Sequence, residues 1–193
     1  MPSGSEQQVK RPCSDQELVS RALQDKQGFA AIVRRYEAPL MRYILRLGCR
    51  NTSSAQDLLQ EIFIKTYVHL NDYDHSFPFS SWIYRIAHNE IISFFRKEKV
   101  RPTVLEREAD LFLLETLVSD LGVDGSEHQR HSPSEVQRAV DALESRYREV
   151  IILKFFEGKS YEEISDILQM PEGTVATLIN RAKKKMKSIL DKV

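Results

Sequence analysis

Apolar residues recur at steps of three and four along most of this chain, the period of an amphipathic α-helix. The first such stretch starts at Asp15 and keeps its apolar face as far as Leu47, where Gly48 supplies a stop signal. A second stretch follows a predicted N-cap at Ser53 or Ser54. Its predicted core-facing positions are Ala55, Leu58, Leu59, Ile62, Phe63, Thr66, Tyr67 and Leu70.

A loop at residues 71–81 then collects turn-forming and aromatic residues, after which Ile83, Ala87, Ile91 and Phe95 restore the helical period. The pattern loosens after Lys99 into an acidic stretch with the composition of a linker. The predictions so far are helices joined by short loops, followed by a domain boundary.

The helical pattern restarts at Ser134 and is interrupted at residues 157–160. The segment Ser160-Tyr-Glu-Glu163 has the spacing of a capping box, so a helix is expected to begin there. Pro171, Glu172 and Gly173 break the chain before a final basic helix. A short helix, a tight turn and a basic helix are typical of a helix-turn-helix unit.

The predicted fold class is therefore all-α, with an N-terminal helical bundle and a C-terminal helix-turn-helix domain. Only seven glycines and seven prolines among 193 residues support it. We divide the chain into a flexible tail at 1–14, a first domain at 15–100, an acidic flexible linker at 101–135 and a second domain at 136–193.

Charge is balanced overall, with 28 basic and 28 acidic side chains, but it is unevenly distributed. The linker carries 3 basic and 8 acidic residues, while the segments before and after it carry 14 against 11 and 11 against 9. Two cysteines without CxxC spacing and the lack of a long apolar run favour a cytoplasmic protein without membrane insertion.

The last helix offers residue types that bond base edges and phosphates in a DNA major groove. The candidates are Thr174, Thr177, Asn180, Arg181 and Lys184. Five cations within residues 181–187 favour nucleic acid, because they repel one another unless phosphate or water screens them. The alternative is an ordinary helical hairpin with a solvated face.

The segment YEEISDILQMPEGTVATLINRAKKKM resembles the promoter-binding domain of extracytoplasmic-function (ECF) sigma factors of bacterial RNA polymerase. The resemblance covers residues 134–190 and implies binding to the minus-thirty-five promoter element. Ala176 and Leu178 depart from it, since basic residues are common at those positions in the family.

The first domain resembles the same family through DLLQEIFIKTY (57–67) and FSSWIYRIAHNEIISFFRKEK (79–99). The first motif implies docking on a helical coiled coil of the polymerase clamp, where carboxylates can pair with arginines. The candidates for binding core RNA polymerase are Asp57, Gln60, Glu61, Ile64 and Lys65. From the residues alone, an ordinary solvated face is the better interpretation of this stripe, and only the resemblance favours docking.

The loop and the helix after it interleave aromatic residues, cations and an amide, a mixture suited to an unpaired DNA strand. The resemblance implies recognition of the minus-ten element there. The candidates are Tyr73, Phe77, Phe79, Trp82, Arg85, His88, Asn89 and Arg96. Phe77 and Phe79 could instead pack the loop onto the helices, Trp82 could be core, and Ser93 replaces an aspartate that often precedes the arginine matched by Arg96.

No phosphate-binding glycine loop, nucleophile elbow or HExxH motif occurs, so neither an enzyme nor a cofactor is expected. His128 and His131 lie in the linker without thiols, and we assign them no metal. The expected partners are core RNA polymerase, promoter DNA and an anti-sigma factor, with no small-molecule substrate. Two rivals stay open: a stand-alone DNA-binding regulator, and a helical adaptor that binds only protein.

Overall fold

The computed structural model describes residues 13–49, 51–98, 117 and 132–191, and these residues form helices and no strands. The first domain contains α1 (Asp15–Gln24), α2 (Phe29–Arg46), α3 (Thr52–Val68) and α4 (Phe79–Glu98). Single 3₁₀ turns at Lys26–Gly28 and Leu70–Asp72 lie in two of the connections. The all-α prediction is confirmed.

Local capping residues set where these helices begin. Ser14 accepts a hydrogen bond from the Glu17 amide, and the Glu17 carboxylate accepts one from the Ser14 amide, which is a complete capping box. The predicted Ser53 or Ser54 cap of α3 is wrong, because the Asn51 side chain accepts hydrogen bonds from both of those amides. Helix α2 ends as predicted before Gly48, whose φ of 116° suits only glycine.

Helices α1 and α2 pack very closely where the chain turns between them. A Cβ at Gly28 would lie 2.5 Å from the carbonyl oxygen of Arg21, so no larger residue fits without movement. Asp15 accepts hydrogen bonds of 2.6 Å from Arg35 and from the Tyr36 hydroxyl, which tie the start of α1 to the middle of α2. Arg35 also donates to the carbonyl oxygen of Cys13. The last residues of the predicted flexible tail, 13 and 14, therefore belong to the folded domain.

The core of this domain is built from one stripe of each helix. Its fully buried side chains include Val19, Ile32, Leu40, Tyr43, Ile62, Ile83, Ala87 and Ile91. Thr66 is buried without penalty because its hydroxyl donates to the carbonyl oxygen of Ile62 at 2.7 Å. Tyr67 departs from the prediction, since it is exposed and packs its ring edge against Phe29 at 5.1 Å.

The second domain contains α5 (Pro133–Asp141), α6 (Ser145–Ile151), α7 (Tyr161–Leu168) and α8 (Glu172–Leu190). A π-helical turn at Ile152–Phe156 extends α6, and Gly158, at a φ of 66°, ends it. The predicted capping box of Ser160 and Glu163 is confirmed. A second capping box starts α5 earlier than predicted, with Ser132 as its N-cap.

The turn of the helix-turn-helix unit is made at Gln169, which adopts the left-handed conformation with a φ of 52°. Its side chain donates a 2.7 Å hydrogen bond to the carbonyl oxygen of Asp166, which holds this unusual conformation. Around the turn, Ile164, Ile167, Val175 and Ile179 are buried together. The predicted α7–turn–α8 arrangement is confirmed.

Residues 1–12 of the predicted tail, most of the predicted linker, and both linker histidines, His128 and His131, lie outside the described residues. Within that linker Leu117 is described, and it is helical and fully buried. No helix in the described parts of the chain is long and apolar enough to cross a membrane.

Candidate polymerase and nucleic-acid interfaces

The outer face of α3 presents the residues predicted to bind core polymerase. Asp57, Gln60, Glu61 and Lys65 are exposed, and Ile64 keeps 56% of its surface accessible. This face borders a groove between α3 and α4 that is lined by Ser54, Leu58, Glu90, Ser93, Phe94 and Lys97 as well as by Asp57, Glu61 and Lys65. Carboxylates and ammonium groups therefore surround a partly apolar floor.

Sequence reasoning missed the residues that complete this face. Tyr67 and Val68 continue the exposed apolar strip of Ile64 by one helical turn. Glu90 of α4 joins the face through a 2.7 Å ion pair with Lys65, which links the two helices across the groove. The sequence signal for this extension was the pair of aliphatic residues Ile64 and Val68, one helical turn apart on the polar side of the helix. A helix face that contacts only solvent rarely carries two such residues together.

The aromatic residues of the loop and the start of α4 divide into one exposed ring and a buried cluster. Tyr73, Phe79 and Trp82 are buried, with ring centroids 5.3 to 5.5 Å apart, and the Tyr73 hydroxyl donates to the carbonyl oxygen of Phe77 at 2.5 Å. Phe77 itself is 49% exposed. The cluster holds the loop in place and leaves Phe77 available at its tip.

The polar candidates on α4 differ in how accessible they are. Asn89 and Arg96 are exposed, Arg85 is half-buried, and His88 is largely covered. The Nδ1 atom of His88 lies 3.1 Å from the Tyr43 hydroxyl. Burial lowers the pKa of His88 from 6.5 to about 4, so its imidazole is neutral at neutral pH.

Helix α8 presents all five predicted DNA-contacting residues to solvent. Thr174, Thr177, Asn180, Arg181 and Lys184 are spaced three residues apart, except that Asn180 and Arg181 are adjacent. They lie opposite the buried Val175, Ile179 and Ala182. The Thr177 hydroxyl donates to the carbonyl oxygen of Gly173 at 2.8 Å. Of the two departures from the family pattern, Leu178 is half-buried and packs against the core.

The cations of α8 have different surroundings. Lys185 pairs with Glu144 at 2.7 Å and lies over the Tyr147 ring, and Lys183 lies over the Phe155 ring. Within the described residues, Arg181 and Lys184 take part in no ion pair. They therefore carry uncompensated positive charge at the face that bears the predicted base-contacting residues.

The two domains contact each other along α4. The second domain contributes acidic side chains to this contact. Glu157 accepts hydrogen bonds of 2.7 Å from both Arg46 and the Tyr84 hydroxyl. Glu163 accepts one of 3.2 Å from Ser80, and Glu149 lies 3.9 Å from the Nε2 atom of His88. Burial raises the pKa of Glu157 and raises that of Glu149 from 4.5 to about 7.

Comparison with known protein families identifies both domains. A family model described as Sigma-70 region 2 matches residues 32–101, and one described as Sigma-70, region 4 matches residues 134–186. The chain belongs to the sigma-70 family. Members of this family are transcription initiation factors and not enzymes, and this sigma factor directs initiation by RNA polymerase at promoters.

Curated relatives place it among the ECF sigma factors. It is 33% identical over 171 residues to the ECF RNA polymerase sigma factor SigW of Bacillus subtilis (strain 168), covering 86% of this chain and 90% of the relative. It is 34% identical over 179 residues to the ECF RNA polymerase sigma-E factor of Haemophilus influenzae (strain Rd), covering 89% and 92%. The predicted family is therefore confirmed.

Solved structures share the fold. CnrH, in complex with the cytosolic domain of CnrY, superimposes with a TM-score of 0.66 at 23% identity over 92% of this chain and 97% of CnrH. The sigma factor RpoE of Bartonella quintana, in complex with the anti-sigma factor NepR, gives 0.60 at 20% identity over 84% and 96%. In the described ranges, no cluster of three or more His, Cys, Asp or Glu side chains could hold a metal ion.

Proposed function

We propose that the outer face of α3 docks this sigma factor on core RNA polymerase. Asp57, Gln60, Glu61, Ile64 and Lys65 are exposed together, which supports a single contact surface. Carboxylates toward the N-terminal end of this face suit arginines of the clamp, while the apolar strip that begins at Ile64 supplies apolar area toward its C-terminal end. We add Tyr67, Val68 and Glu90 to this surface because they extend it without a break.

The minus-ten element binds at α4 and at the loop before it. Phe77 stands exposed at the loop tip, where it can stack on an unpaired base, while Arg85, Asn89 and Arg96 supply cations and an amide along α4. The buried Tyr73, Phe79 and Trp82 fix the shape of the loop, while His88 lies at the domain contact. Stacking contributes about 1 to 3 kcal/mol per captured base, so binding alone can stabilise the melted strand without catalysis.

Helix α8 reads the minus-thirty-five element in the major groove. The observation that carries this role is the exposure of Thr174, Thr177, Asn180, Arg181 and Lys184 on one face of a helix whose other face is fully buried. A rigid recognition helix requires that division of its surface. Ala176 and Leu178 supply no cations, so the affinity for DNA depends on the five exposed residues of α8.

The domains at 15–100 and 136–193 act together through the acidic linker, in the cytoplasm where polymerase transcribes. Thirty-five residues can reach at most about 115 Å, which exceeds the roughly 60 to 70 Å of duplex between the two elements. An anti-sigma factor is the expected inhibitor, as the two superimposable sigma factors were solved with a bound CnrY domain and with NepR.

The test is transcription in vitro from a promoter library with core polymerase and the purified chain. A sigma factor yields RNA that starts at defined sites, and it does so only when both proteins are present. Specific DNA binding without polymerase, and no such RNA, would identify a stand-alone regulator. Polymerase binding that never produces promoter-specific RNA would identify an adaptor.

A further inference from the structure

Three carboxylates of the second domain lie against successive turns of α4. Glu163, Glu157 and Glu149 face Ser80, Tyr84 and His88, which are spaced four residues apart and so form one line along the helix. Each turn of α4 therefore meets one acidic side chain from the helix-turn-helix domain. We call this row of three the carboxylate row.

Glu157 makes the strongest link of the row because it joins two helices of the first domain. Its side chain is only 4% exposed, and it accepts hydrogen bonds from Arg46 at the end of α2 and from Tyr84 of α4, both at 2.7 Å. Arg46 also donates to the carbonyl oxygen of Phe156 at 3.2 Å and lies over the ring of that residue. Lys159 completes the contact from above the Tyr84 ring.

The covered line overlaps the surface that α4 is proposed to offer to DNA. His88 belongs to that surface, its side chain is largely buried, and its Nε2 atom lies 3.9 Å from Glu149. Arg96 and Ile92 of α4 line a groove between the two domains, together with Ser145 and Arg148 of the second domain. A DNA strand laid along α4 would meet the second domain at both positions, and the carboxylate row would repel its phosphates.

We propose that the carboxylate row is an interdomain latch that holds this sigma factor in a closed form unable to bind the minus-ten strand, and that Glu157 is its main fastening. The three acidic side chains take the place on α4 that the promoter strand would occupy. The part that concerns DNA rests on the function proposed above. The latch itself does not, because it is a property of the free chain.

Burial keeps the latch reversible. The raised pKa values of Glu157 and Glu149 mean that desolvation opposes placing these carboxylates at the interface. The linker is long enough for the domains to part and then occupy both promoter elements. When the domains part, these carboxylates regain water, which offsets part of the free energy lost with their hydrogen bonds.

Glu157→Lys tests the latch because it places a second cation against Arg46. Glu162→Lys is the matched control, since Glu162 is one turn away on the exposed side of α7 and the change in net charge is the same. Small-angle X-ray scattering without DNA measures the radius of gyration, and fluorescence anisotropy with labelled single-stranded DNA of mixed sequence measures affinity. Circular dichroism verifies that each variant is folded.

The expected result is a larger radius of gyration for Glu157→Lys and DNA binding about tenfold tighter than for Glu162→Lys, since a charge-assisted hydrogen bond contributes about that factor. The exchanged pair Arg46→Glu with Glu157→Arg is expected to restore the compact form. Equal radii for the two single Lys variants overturn the latch.

If Glu157→Lys does not fold, Tyr84→Phe removes one hydrogen bond to Glu157 without changing any charge. It is then expected to enlarge the radius of gyration relative to the parent, and an unchanged radius overturns the latch. If the radius of gyration increases while the DNA affinity stays unchanged, the latch is supported, and the proposal that it competes with DNA is overturned. Promoter-specific transcription by the parent protein is measured separately and tests the proposed function alone.

Discussion

His88 and Glu149 meet at the domain contact. Because of this contact, we expect Glu149→Gln and His88→Gln to change the closed-to-open ratio in opposite directions with pH. In the closed form, burial lowers the pKa of His88 from its ordinary 6.5 to about 4 and raises that of Glu149 from 4.5 to about 7. Closure therefore moves a proton from the imidazole to the carboxyl group and takes up almost none between pH 4.5 and 6.5. In the parent protein this pair should therefore add almost no pH dependence to the closed fraction over that interval.

Removing either partner exposes the pH dependence of the other. In Glu149→Gln only His88 remains, and its contribution to closure is present above pH 6.5 and lost as the pH falls toward 4. In His88→Gln only Glu149 remains, and its contribution is present below pH 4.5 and lost as the pH rises through 7. The first variant should open as the pH falls, and the second should open as it rises.

The size of the effect follows from the two pKa changes. Each corresponds to about 3 kcal/mol at most, because one pKa unit is about 1.4 kcal/mol. Part of that burial persists after the domains separate, since His88 keeps Tyr43 and Glu149 keeps its neighbour Arg148. Over pH 5 to 6.5 each variant should shift its closed-to-open ratio by up to about fifteenfold, in opposite directions.

Small-angle scattering of the free protein across pH 5 to 7 measures this ratio, with Glu162→Gln as the control. The other ionisable groups at the contact are unaltered in every variant: Tyr43, Tyr84, Arg46, Arg148, Lys159, Glu157 and Glu163. Glu157, with its raised pKa, adds the same tendency to open at higher pH to all of them. Two variants whose pH responses depart from that of the parent protein in the same direction would refute the reasoning.

Three further predictions concern the other surfaces and the packing. Asp57→Ala combined with Glu61→Ala should weaken core-polymerase binding in a pull-down while circular dichroism and thermal unfolding stay unchanged, because exposed carboxylates contribute little to stability. Arg181→Ala should lower affinity for duplex promoter DNA and flatten its salt dependence by about one phosphate contact, whereas an unaltered slope would place Arg181 against protein. Gly28→Ala should lower the free energy of unfolding by about 1 to 3 kcal/mol because its Cβ meets the α1 backbone, and Gly173→Ala, which has open space, should not.

Local signals in the sequence were enough for most of the helices. The capping box of Ser160 and Glu163 and the stop at Gly48 depend only on neighbouring residues, so they could be predicted without tertiary structure. The cap of α3 could not, because all four residues at 51–54 are suitable caps, and the backbone geometry selects Asn51. Periodicity placed Tyr67 in the core, while the position of Phe29 leaves it at the surface.

The domain contact had no local signal at all. Glu157 lies in the interruption at residues 157–160, where its charge is consistent with a solvated turn. Its partner Arg46 is 111 positions earlier, and both residues lie at the ends of helical stretches where periodicity says nothing about burial. Only the three-dimensional arrangement brings them together and covers part of α4.

Covering α4 also sets how much of this protein a cell would need. When only a fraction of the molecules can bind, the apparent dissociation constant rises by the inverse of that fraction. With about one molecule in a hundred open, half-occupancy of a promoter would need about a hundredfold more protein than an always-open chain. Small changes at Arg46 or Glu157 would then move the concentration threshold for transcription without altering which promoters are read.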